Sequence, residues 1–238
     1  MRIRAPNSHR SYAEAVSTAP TTPPRIALAL GGGGARGYAH IGAIEEITSR
    51  GWEVVAIAGT SMGAVVGGLY AAGGMDDYAQ WARTLSRRDV MRLLDVTVGG
   101  PGMFRADRVM SEVRKRTGDV DISDLRIPFV AVAVDLLARQ EVWFHRGDLV
   151  DAMRASIAIP GVFTPVERDG MLLADGGLLN PVPTMPLAGA RADALIAVNL
   201  AGPETGRAVN ENPGLFQPTL NLPSLPRLKL PARIEPAL

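Results

Sequence analysis

Residues 54–75 run for 22 positions without a charged side chain, long enough in principle to cross a bilayer as a helix. The run also carries the small-residue spacing of packed membrane helices, Gly59-x-x-x-Gly63 and Gly63-x-x-x-Gly67. Six of its residues are glycine, however, and it divides at Thr60-Ser61. The first part, Val54-Val55-Ala56-Ile57-Ala58, has the composition of a short buried strand. The second, from Ala64 to Ala72, has that of a buried helix. The chain is therefore read as strand, Gly59-Thr60-Ser61-Met62-Gly63, helix, and not as a membrane span. A G-x-S-x-G between strand and helix is the context of a nucleophile elbow. Gly59 and Gly63 leave room for the sharp turn, and Ser61 is held over the helix N-terminus, where free N–H groups and the helix dipole favour negative charge. A plain glycine-rich turn in which Ser61 only caps the helix fits the same five residues.

A second unit of the same kind precedes it. Ile26-Ala27-Leu28-Ala29-Leu30 reads as a first strand and runs into Gly31-Gly32-Gly33-Gly34-Ala35-Arg36-Gly37. Ile41, Ile44 and Ile47 then mark one face of a helix over residues 38–50. Gly32-x-Gly34-x-x-Gly37 matches the form of a dinucleotide fingerprint, which needs an acidic residue at the end of the next strand to hold the ribose. Glu53 falls at the start of that strand, and no Lys-Ser/Thr pair makes a Walker loop. A nucleotide site is disfavoured. The other use of the same backbone is an oxyanion hole, with glycine N–H groups and Arg36 facing a developing alkoxide.

Further along, helices are expected over residues 75–94, 107–117 and 149–158, and strands over 127–134, 140–145, 171–174 and 194–200, the last read as buried. The turn-rich apolar stretch 96–104 is read as a helix–helix connection, with a lid or interfacial loop as its functional alternative. Apolar strands alternating with helices imply an α/β fold with a largely parallel sheet covered on both faces. In such sheets sites form beyond the carboxyl ends of the strands. The glycine loop, Ser61, Asp135 and Asp175 all fall at strand ends. The expected organisation is a loosely attached arm (1–24), a catalytic domain (25–201) and a Pro-rich strap (202–238) holding seven of the 18 prolines.

A net charge of +1 gives no electrostatic case for nucleic acid, and the absence of cysteine removes thiol chemistry and cysteine-based metal sites. No apolar segment follows Arg2, Arg4 and Arg10, so no secretory signal is read and a cytoplasmic location is expected. No metal and no cofactor are expected. A serine nucleophile needs a base. The three histidines are His9 in the arm, His40 early in a helix and His145 after a strand. None follows Asp175, so the Ser…Asp…His order of an α/β-hydrolase is missing. His40 and His145 are read as making local hydrogen bonds. Asp175, presented by the Gly176-Gly177 turn, is the better candidate, because a carboxylate in a dry site can take the proton within the transition state. The alternative for a lone Asp-Gly-Gly is a turn cap.

Together, Gly32-Gly33-Gly34-Ala35-Arg36-Gly37, Gly59-Thr60-Ser61-Met62-Gly63 and Asp175-Gly176-Gly177 resemble, in order, the three motifs of the patatin-like phospholipase family. Ala39-His40-Ile41-Gly42, Ala155-Ser156 leading to Ile159-Pro160-Gly161, and Asn180-Pro181-Val182-Pro183 are smaller matches, and the likeness covers residues 25–200. The resemblance implies a three-layer α/β/α sandwich and a serine lipid acyl hydrolase of the phospholipase A or lysophospholipase type. In it Ser61 is the nucleophile, Asp175 the general base, and Gly32, Gly33, Gly34, Arg36 and Gly37 form the oxyanion hole. A lipid or acyl-ester substrate, met at a membrane surface, follows from the same likeness. A catalytically silent lipid-binding or scaffold protein is the alternative, and oligomeric state is left open.

Overall fold

In chain order, the secondary structure starts with β1 (Arg25–Leu30), α1 (Ala39–Ser49), β2 (Glu53–Thr60), α2 (Met62–Ala71), α3 (Met75–Thr84) and α4 (Asp107–Thr117). It continues with β3 (Phe129–Asp135), β4 (Gln140–Phe144), α5 (Leu149–Ser156), β5 (Val166–Arg168), β6 (Met171–Asp175) and β7 (Ala194–Val198). The structure is a computed structural model that describes residues 22–86, 88–89, 93 and 104–202. Residues 1–21 of the expected arm, most of the stretch 96–104 and nearly all of the Pro-rich strap lie outside the described residues.

Strands β7, β1, β2 and β3 lie side by side and run parallel, so the expected α/β fold with a central parallel sheet is what forms. The remaining strands are antiparallel, and that changes how the site is assembled. Along one edge of β3, Phe129–Val132 pairs with Ile57–Thr60 of β2. Along the same edge, Ala133–Asp135 pairs with Leu173–Asp175 of β6 in the opposite sense. Thus β6 runs head-on toward β2. Thr60 and Asp175 face consecutive residues of β3, Val132 and Ala133. Asp175 does end its strand, as the sequence suggested, but it meets Ser61 from the opposite direction and not as a parallel neighbour.

Most of the core lies on one face. Leu28, Leu30, Ile57, Phe129, Ala131 and Ala133 pack against buried residues from α1, α2, α3, α4 and α5. Helix α2 lies in the middle of that layer, and Gly63 through Leu69 are buried all round, as its uniformly apolar sequence requires. The opposite face is alanine (Ala27, Ala29, Ala56, Ala58), packed with Leu187 and half-buried Val130, Val182, Ala190 and Ala192. Among the described residues its cover is a short 3-10 turn, Met185–Leu187, and its flanks.

Two expectations change in the fold. Helix α3 ends at Thr84, well short of 94, where Leu85 turns extended. Strand β7 is not buried: it edges the described sheet, and Leu195 is 44% exposed, with no further strand pairing beyond it among the described residues.

Candidate active site

The turn between β2 and α2 places Ser61 at φ 56° and ψ −127°, a backbone region that a residue with a side chain enters only under constraint. Close packing supplies the constraint. A side chain at Gly59 would overlap Ala64, and one at Gly63 would overlap the Leu30 carbonyl of the neighbouring strand. The Ser61 side chain makes no capping bond to α2, so it does not serve as a simple helix cap. It is almost wholly buried, with the N-terminus of α2 beneath it.

Hydrogen bonds from three separate segments hold this turn. The Ser61 N–H donates to Ser156 Oγ at 2.9 Å, and that hydroxyl donates to the Val132 carbonyl at 2.6 Å. Thr60 Oγ1 donates to the Asn180 carbonyl at 2.9 Å. The Asp175 N–H donates to the Ala158 carbonyl at 3.0 Å, which ties the end of β6 to the segment after α5. Ser156, Thr60 and Asn180 have no chemical signature of their own in the sequence. Their only signal was position, beside the smaller motif matches and the elbow.

Asp175 is buried beside Ser61. Its Oδ1 accepts the Gly177 N–H at 2.7 Å, while its Oδ2 is buried without a hydrogen-bond partner. Burial pushes the carboxyl pKa above the ordinary carboxylate value, and the Ser61 hydroxyl and the Gly177 N–H pull against that rise. The hydroxyl is near enough to lower the carboxyl pKa, while Oδ2 has no hydrogen-bond partner.

The glycine loop passes over Ser61: a Cβ on Gly32 would stand 3.6 Å from that of Ser61. The Gly31 and Gly32 N–H groups are already used, donating to Val198 and Pro181 carbonyls at 3.0 and 2.9 Å. The N–H groups of Gly33 and Gly34 donate to no group among the described residues. Arg36 is exposed on the 3-10 turn Gly34–Tyr38, and Gly37 is buried against Met62. Beneath the loop, His40 Nε2 lies 2.7 Å from the Gly31 carbonyl. A carbonyl only accepts, so the proton sits on Nε2. Nδ1 is buried without a partner, and burial lowers the imidazole pKa.

Other candidates lie elsewhere. Asp135 Oδ1 accepts the N–H groups of Leu137 and Leu172 at 3.0 and 3.2 Å, closing the turn after β3. His145 is exposed, with Nδ1 3.2 Å from the Trp143 carbonyl. Glu53 sits at the far end of β2 from the glycine loop, away from any nucleotide phosphate that the loop could hold. No helix of the described residues is long and apolar enough to cross a membrane.

The profile of the patatin-like phospholipase family matches residues 28–188. An uncharacterized NTE family protein of Mycobacterium bovis is 54% identical over 198 residues, covering 83% of this chain and 55% of that protein. A Mycobacterium tuberculosis protein of the same description matches equally. Neuropathy target esterase sws of Drosophila melanogaster is 32% identical over 204 residues, covering 83% of this chain and 14% of that protein. The chain thus spans about half the length of its mycobacterial relatives. The crystal structure of VipD from Legionella pneumophila shares the fold, with a TM-score of 0.51 at 16% identity over 68% of this chain and 47% of that one. With three motifs in order, one fold and a match over most of the described residues, the chain belongs to the patatin-like phospholipase family.

Proposed function

We propose that this protein is a serine hydrolase of lipid acyl esters, with Ser61 as nucleophile and Asp175 as its general base. The observation that carries the reading is the buried, unpartnered Asp175 Oδ2 beside Ser61, at the point where β2 and β6 meet head-on. Ser61 Oγ attacks the ester carbonyl carbon, and its proton passes to Asp175 Oδ2. The oxyanion is held by the free N–H groups of Gly33 and Gly34, with Arg36 at the rim; Gly32, whose N–H is spent on Pro181, shapes the loop. As the tetrahedral intermediate collapses, the carbon–oxygen ester bond breaks. Asp175 returns the proton to the leaving alcohol, a lysolipid or glycerol-type fragment. Water then attacks the acyl-enzyme, again losing a proton to Asp175, and the fatty acid leaves as Ser61 regains its hydrogen.

Membership of the patatin-like phospholipase family and likeness to an esterase support the substrate class. The elevated pKa of Asp175 supports its role, since a base closer to neutrality takes a hydroxyl proton more readily. The test is hydrolysis of p-nitrophenyl butyrate and of lysophosphatidylcholine by wild type and Ser61→Ala. Turnover that vanishes with Ser61 is expected; turnover that survives Ser61→Ala refutes the reading.

A further inference from the structure

We propose that the rim of the Ser61 site is itself a membrane-docking surface, which seats on a phospholipid bilayer with Leu178 and Leu179 entering the acyl boundary. The inference rests on the reading of this site as one that acts on lipids. Among the described residues three stretches form the rim, and backbone bonds stitch them to the site. Residues 31–38 cross over Ser61, residues 158–163 begin where Ala158 accepts the Asp175 N–H, and residues 176–185 leave Asp175 and return to Gly32 through the Pro181 carbonyl. In a chain that is 21% charged, these stretches contain a single charged side chain, Arg36. It is exposed and forms no ion pair among the described residues.

Apart from Arg36, the side chains that these stretches expose are apolar. Leu178 and Leu179 are each 51% exposed, Tyr38 is 41% exposed, and Ile159, which follows the Ala158 that accepts the Asp175 N–H, is 36% exposed. The leucines sit on a fixed turn and not a loose loop, because the Leu179 and Asn180 N–H groups both donate to the Gly176 carbonyl, at 3.2 and 2.8 Å. Glu141, on β4 beside the rim, accepts Asn180 Nδ2 at 3.0 Å and Trp143 Nε1 at 2.8 Å, both on Oε2. Three stretches that together carry one cation, no carboxylate and a tyrosine with a polar tip match the headgroup and acyl layers of a bilayer. A protein partner would more usually meet a rim of mixed charges around its apolar centre. Docking there would deliver an ester bond to Ser61 without the lipid first crossing water.

The test is sedimentation with phosphatidylcholine vesicles of wild type, Leu178→Glu/Leu179→Glu and Leu195→Glu, the last an exposed leucine on the edge strand away from the rim. Hydrolysis of p-nitrophenyl butyrate is measured alongside, because a monomeric ester needs no docking. Wild type and Leu195→Glu should sediment, and the double variant should lose roughly tenfold or more in vesicle affinity while keeping ester turnover within about twofold. Equal sedimentation of all three proteins, no sedimentation of wild type, or equal loss in Leu195→Glu overturns the proposal. If the double variant melts early, Leu179→Glu alone is the deciding comparison and must show reduced sedimentation. Rim-dependent sedimentation by a wild type that turns over no ester upholds docking and refutes the hydrolase reading. Ester turnover without rim-dependent sedimentation does the reverse.

Discussion

Asp135 and Asp175 end adjacent antiparallel strands, are both deeply buried (5% and 6% exposed) and both close a turn with Oδ1. They differ in what surrounds them. Asp135 receives two backbone N–H groups, from Leu137 and from Leu172, and so fastens the turn after β3 to β6. Asp175 receives one, from Gly177, and keeps a bare buried oxygen next to a serine whose own backbone is strained. Burial is the same, so burial alone does not mark a reactive carboxylate. A buried acceptor left without a donor costs free energy, and such a cost persists where function needs it.

The comparison breaks most directly in catalysis. Asp175→Asn should lower ester hydrolysis about 10³-fold or more, like Ser61→Ala, because the base is gone. Asp135→Asn should stay within about threefold, and a comparable loss there would erase the distinction. The next effect concerns the brace behind the serine. Ser156→Ala removes the acceptor of the Ser61 N–H and should reduce kcat about 10- to 100-fold with KM little changed, since it misplaces Oγ without touching the substrate.

Stability should separate the two aspartates in the opposite order. Asp135→Ala strips the acceptor from two backbone donors and should cost about 1–3 kcal/mol in denaturant unfolding. Asp175→Asn removes a buried charge and should stabilise the fold by about 1 kcal/mol at pH 7 while abolishing activity. The sign follows from linkage. Asp175 binds its proton more tightly folded than unfolded, so its contribution favours the fold below the ordinary carboxylate pKa and is lost as pH rises through the elevated value. Asp175→Asn should remove that slope. The smallest effect belongs to His40, whose imidazole pKa is lowered by burial. Its contribution is present above the ordinary imidazole pKa and fades as pH falls from there toward the lowered value. His40→Gln should flatten that slope, which urea titrations across pH 5–7 would resolve, at a cost of about 1 kcal/mol.

Much of this arrangement was legible in the sequence, for identifiable reasons. Continuous apolar runs marked β1, β2 and β3, and the spacing of Ile41, Ile44 and Ile47 marked the buried face of α1. The elbow was readable because Gly59 and Gly63 are needed for close packing within a few residues of Ser61. What escaped was set by partners distant in the chain. The direction of β6 depends on pairing with β3, which no local pattern encodes, and the exposure of β7 on its place at the edge. Likewise, the Gly32 N–H looks like an oxyanion donor until Pro181, far along the chain, takes it. Ser156 reads as one more helical serine until its hydroxyl is found between Ser61 and Val132.

In the proposed mechanism Asp175, and not Asp135 or a histidine, activates Ser61. Fluorophosphonate labelling of wild type, Ser61→Ala, Asp175→Asn and Asp135→Asn, with the labelled residue identified by mass spectrometry, tests it most directly. Ser61 should be labelled in wild type and Asp135→Asn at similar rates, about 10²-fold or more slowly in Asp175→Asn, and no label should appear in Ser61→Ala. Labelling of Asp175→Asn at the wild-type rate, or labelling at a residue other than Ser61, would contradict it.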